Sequence, residues 1–117
     1  MTTAPSPLLF LWSEPTDEPL AILIRRKWLF LPGFDSEGQL DRVTGQFIWD
    51  VDGFVDALRV KSQTDAAAMR VQRGSGVVWD CNGTAAEVLQ RLVELPAPSD
   101  RLAPRLVVAA APRLWTP

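Results

Sequence analysis

The stretch Gly74-Ser75-Gly76-Val77-Val78-Trp79-Asp80-Cys81-Asn82-Gly83-Thr84-Ala85-Ala86-Glu87 decides the fold class. Gly74-Ser75-Gly76 reads as a turn, Val77-Val78-Trp79-Asp80-Cys81 as a strand, and Asn82-Gly83 as a break before a helix. Thr84-Ala85-Ala86-Glu87 matches a capping box, in which hydroxyl and carboxylate each satisfy a helix N-H that has no partner within the helix. Val88, Leu89, Leu92 and Leu95 continue as one apolar stripe at helical spacing, and Pro96 with Pro98 stops the helix. A strand feeding directly into an amphipathic helix predicts an α+β fold.

Working towards the N-terminus, residues 68–73 alternate small or polar side chains with Met69 and Val71, so residues 68–81 form a hairpin. Thr64-Asp65-Ala66-Ala67-Ala68 adds a brief helical turn before it, because alanine favours helix. Val51, Phe54, Val55 and Leu58 fall at i, i+3, i+4 and i+7 with acids in the first turn, which predicts a short helix starting at Asp50. Residues 35–46, polar with Gly38 and Gly45, read as a loop. Residues 20–31 are apolar except for Arg25-Arg26-Lys27, which predicts a hairpin turning at the basic triplet. Leu8-Leu9-Phe10-Leu11-Trp12 reads as a first strand, and Leu106-Val107-Val108-Ala109 as a last one. The expected architecture is a mostly antiparallel sheet covered by two helices, drawn as two successive ββα units with extra terminal strands. Its domain runs over residues 8–111, between a disordered tail at residues 1–7 and an extended tail at residues 112–117.

Composition supports one folded domain: 117 residues, 47% apolar and 22% charged. The net charge of -2 disfavours nucleic acid as a partner. The N-terminal seven residues hold no Lys or Arg, and the apolar run after them is too short for a signal or a membrane span, so the expectation is a cytoplasmic protein with no membrane partner. Ten arginines against two lysines suit a bacterial or phage origin.

Histidine and tyrosine are both absent, which removes the usual general base and any Ser-His-Asp or Cys-His site. The lone Cys81 excludes an internal disulfide and a cysteine-based metal cage, and reads as core rather than as a nucleophile. Asp50, Asp52 and Asp56 invite a cation, but a calcium loop would put Ile48 and Arg59 where acids are required. They read as acids at a helix start. Arg73-Gly74-Ser75-Gly76 lacks the spacing of a phosphate loop and reads as a turn. No cofactor and no catalytic residue are expected.

What remains is a surplus of tryptophan, five in all, with basic residues beside two of them. Arg25, Arg26, Lys27 and Trp28 form one candidate partner-binding cluster, and Arg113, Leu114 and Trp115 another, since aromatics and arginines anchor protein interfaces. The expectation is a noncatalytic protein-binding module such as an immunity protein, antitoxin, inhibitor or complex subunit, with another protein as partner and a second copy of the chain as a further one. The alternative is a small-molecule or nucleotide binder, with or without weak enzymatic activity. It would use Arg25, Arg26, Arg73 or the carboxylates of residues 50–56 in a cleft between sheet and helices.

Overall fold

The computed structural model describes residues 17–110. Helix α1 (Asp17–Arg25) precedes five strands, β1 (Leu29–Phe34), β2 (Leu40–Ile48), β3 (Phe54–Ser62), β4 (Asp65–Gln72) and β5 (Gly76–Gly83), and helix α2 (Ala85–Glu94) follows. The strands form a single antiparallel sheet in chain order, each paired with the next. The α+β class and the antiparallel sheet are therefore as expected, and two helices are present, of which only α2 lies where one was expected. The element order is helix, five strands, helix, in place of two ββα units.

Several elements differ from the sequence reading. Residues 20–25 belong to α1, and Arg25-Arg26-Lys27 is its C-terminus rather than a hairpin tip. The N-H of Lys27 donates to Ile24 O at 2.9 Å and that of Trp28 to Leu23 O at 3.2 Å, with Lys27 at φ 67. This is a Schellman closure, and its usual apolar contact is supplied by Trp28 and Leu23, both in the core. The three cations sit where the helix dipole favours positive charge.

Residues 40–46 belong to β2 rather than to a loop. Their polarity arises because Arg42, Thr44 and Gln46 point away from the face that the two described helices cover. Gly45 is a packing device: a Cβ there would lie 2.8 Å from Phe30 Cε1 and 3.3 Å from Trp28 Cε3, so both rings lie across the glycine.

Residues 54–62 form β3 rather than a helix. Phe54 N donates to Val51 O at 3.2 Å, closing a turn with Asp52 at φ 49 and Gly53 at φ 74. Two positive φ values are what a tight hairpin of primed type demands, and Asp-Gly supplies them. Strand β4 begins at Asp65, so no helical turn precedes it.

The capping box is present as expected. Glu87 N donates to Thr84 Oγ1 at 3.2 Å, and Thr84 N donates to Glu87 Oε1 at 3.1 Å. Ala85, Val88, Leu89 and Leu92 are buried, and α2 ends at Leu95 before Pro96.

Both helices lie on one face of the sheet. Their core joins Leu23, Trp28, Val88, Leu89 and Leu92 to Val43, Leu58, Val60, Ala66 and Ala68 from β2, β3 and β4. No described helix is long and apolar enough to cross a membrane. The expected last strand is reduced to one bridge, in which Val77 N donates to Ala109 O and Val108 N to Val77 O. The expected strand at residues 8–12, both tails and the Arg113-Leu114-Trp115 cluster lie outside the described residues.

Candidate functional site

Register assigns every strand residue to a face. On the helix-covered face, Phe47, Asp56, Arg70 and Trp79 stand opposite one another across four strands. Asp56 is 3% exposed and Arg70 is fully buried. Arg70 Nε donates to Asp56 Oδ1 at 2.6 Å and Nη2 to Oδ2 at 2.9 Å, a two-pronged charge-assisted pair. Trp49 Nε1 donates to Asp56 Oδ2 at 3.0 Å, and Arg70 Nη1 donates to Pro96 O at 2.6 Å. The guanidinium also lies 5.4 Å from the centre of the Trp49 ring. The charges are thus matched where they are buried, and the chain leaving α2 is tied to the sheet.

This network bounds a cavity of about 310 Å³ between sheet and helices. Phe47, Trp49 and Asp56 line it from the sheet, Leu92 and Leu95 from the end of α2, and Arg26 and Trp28 from the α1 terminus. Trp28 stacks on Phe47 at 6.3 Å, and Phe47 meets Trp49 edge-on at 4.8 Å. Of the basic cluster named from sequence, Trp28 is buried and lines the cavity, Arg26 is exposed and also lines it, and Arg25 and Lys27 are exposed.

Among the described residues, the other face of the sheet has no helix layer. One end carries the cross-strand row Ile48, Val55, Val71 and Val77. The next row is Leu29, Gln46, Ala57, Met69 and Asp80, and the next Leu31, Thr44, Arg59, Ala67 and Asn82. Arg42 lies beyond them opposite Gly33, with its side chain crossing that glycine, and Lys61 is exposed at the irregularity near the end of β3. Arg42 Nη1 is paired with Asp41 Oδ1 at 2.7 Å, Asp80 is exposed in the middle row, and Ala57, Met69 and Val77 form a small buried cluster on this face. Leu29, Leu31 and Ile48 are 52%, 44% and 55% exposed.

The remaining sequence candidates are dispersed. Asp50 and Asp52 are exposed in the β2–β3 connection, while Asp56 is committed to Arg70. Among the described residues no group of three acidic, cysteine or histidine side chains is arranged to hold a metal. Arg73-Gly74-Ser75 is the β4–β5 turn, and Arg73 N donates to Gly53 O. Cys81 is half-buried, and burial pushes its thiol up from the usual value, partly offset by Arg91.

The sequence reading missed both the Asp56–Arg70 pair and the open face. The pair's only sequence trace is a charged residue at an inward position of each of two strands, which is visible only once the register is known. No family model, no curated protein and no solved structure matches this chain.

Proposed function

We propose that this protein is a noncatalytic module that binds another protein through the open face of its sheet. The observation that carries this reading is the exposure of Leu29, Leu31 and Ile48 on the β1–β2 side of this face, next to a small buried cluster of Ala57, Met69 and Val77 towards β5. Sheets commonly bury one face, and exposed contiguous apolar patches mark interaction sites. The absence of His and Tyr from the sequence removes the commonest general acid-base groups and agrees with a binding role.

Face docking is favoured over strand addition by the state of the edges. Strand β1 is an edge of the described sheet and carries Pro32, which donates no hydrogen bond. On the other side, residues 108–109 already bond to β5 at Val77.

The partner inferred is a different chain, whose apolar patch would cover Leu29, Leu31 and Ile48 and whose acidic rim would meet the exposed Lys61.

The test compares tagged wild-type protein with a Leu31→Glu/Ile48→Glu variant in affinity capture, both positions being exposed enough to keep the fold. The expected result is one stoichiometric protein retained by the wild type and lost by the variant, with unchanged circular dichroism. A partner retained equally by both overturns the reading.

A further inference from the structure

We infer that the cavity under the end of α2 is a binding site for a small planar apolar molecule bearing a carboxylate. This inference is independent of the open-face reading, because the cavity is on the opposite side of the sheet.

Its walls determine the apolar part. Phe47 and Trp49 meet edge-on, and Trp28, Leu92 and Leu95 complete a lining in which aromatic and aliphatic carbon predominates. Rings held at such angles offer both faces and edges to a planar guest. The volume of about 310 Å³ is at the small end of ligand pockets, which selects a one- or two-ring molecule over a nucleotide.

The charges determine the polar part. Asp56 could attract a cation, but its two oxygens already accept from Arg70 Nε, Arg70 Nη2 and Trp49 Nε1. Its charge is matched by a guanidinium that is itself buried. Arg26 is different: it is exposed on the cavity lining, and the one hydrogen bond of its side chain among the described residues is from Nη1 to Val93 O at 3.4 Å. A guanidinium carries five N-H donors in a fork that suits a carboxylate. The lining residues Asp56 and Arg26, together with the buried Arg70, sum to one positive charge, so an anion is the complementary guest. The aromatic walls alone would accept an alkylammonium ion, but this net charge repels it.

The probe is naphthalene-2-carboxylate, with the neutral 2-naphthamide as control, titrated into the full chain and followed by the tryptophan indole N-H resonances. The expected result is a saturable shift at Trp28 and Trp49, with Trp79 unmoved and the carboxylate binding about tenfold tighter than the amide. Arg26→Gln is expected to erase that preference without altering the fold. Leu95→Trp, which fills the cavity, is expected to abolish both interactions, and Leu95→Phe serves the same purpose if the larger ring unfolds the chain. Equal binding of the two probes, an unchanged preference in Arg26→Gln, or no saturable shift at Trp28 and Trp49 overturns the inference.

Discussion

Replacing Asp56 by alanine isolates the interaction that most distinguishes this interior from a plain apolar core. The substitution removes acceptors for three hydrogen bonds, from Arg70 Nε at 2.6 Å, Arg70 Nη2 at 2.9 Å and Trp49 Nε1 at 3.0 Å. Arg70 is left fully buried, with Pro96 O as its remaining hydrogen-bond partner. Removing one member of a buried ion pair costs about 3–5 kcal/mol, because the other charge stays desolvated and unpaired. Against a total stability of about 5–15 kcal/mol for a domain, that is a large fraction. The midpoint of thermal unfolding should fall by more than about 10 °C. Urea denaturation followed by tryptophan fluorescence, alongside thermal circular dichroism, measures both quantities. The variant Asp56→Leu/Arg70→Met removes both charges and should lie closer to the wild type than Asp56→Ala does. A loss under about 1 kcal/mol for Asp56→Ala, or a double variant less stable than the single one, would refute the reasoning.

Lys27 holds φ 67 at the position where helices usually end on glycine, so Lys27→Gly should raise stability by about 0.5–1 kcal/mol in chemical denaturation. Thr84→Ala should cost about 1 kcal/mol at neutral pH through loss of the α2 cap. Hydrogen bonds from the Thr84 backbone N-H and then from its side chain hold the Glu87 carboxyl below its ordinary pKa, so its stabilising contribution is present above about pH 4.5 and is lost as pH falls through the lowered value. The stability gap between wild type and Glu87→Gln should accordingly close on acidification, which parallel denaturation curves would reveal. Burial holds the Cys81 thiol protonated, with Arg91 opposing and Asp80 reinforcing the effect, so iodoacetamide should modify the native protein more slowly than the urea-unfolded chain at the same pH.

Where local chemistry determines structure, the sequence was readable. The capping box and the proline stop delimit α2 without reference to the rest of the chain, and Gly74 between two β-prone runs marks the β4–β5 hairpin. The misreadings have a common cause, which is that tertiary context altered the pattern. Asp56 occupies an inward position of β3 because Arg70 neutralises it from β4, so the alternation of Phe54, Leu58 and Val60 was broken and a helical spacing took its place. The Asp52-Gly53 turn was the available corrective signal, since its dipeptide favours a hairpin. Gly45 resembled a loop residue until Phe30 and Trp28 were placed across it. Continuous apolar residues in α1 resembled strand because its end is closed by a lysine where a glycine is usual. Of the candidate sites, Arg26 and Trp28 do meet at a cavity, but the open face could not be read from sequence: its rows exist only in the register of five strands.

On the proposed reading, the open face of the sheet, and not the helical side, meets another protein. Site-specific photo-crosslinking in the cells that naturally express the protein tests it, with a photoreactive residue placed at Leu31, at Ile48, or at the exposed Gln90 on α2. The expected result is the same heterologous adduct from positions 31 and 48 and none from position 90. An adduct confined to position 90, or only a dimer of this chain from positions 31 and 48, would contradict it.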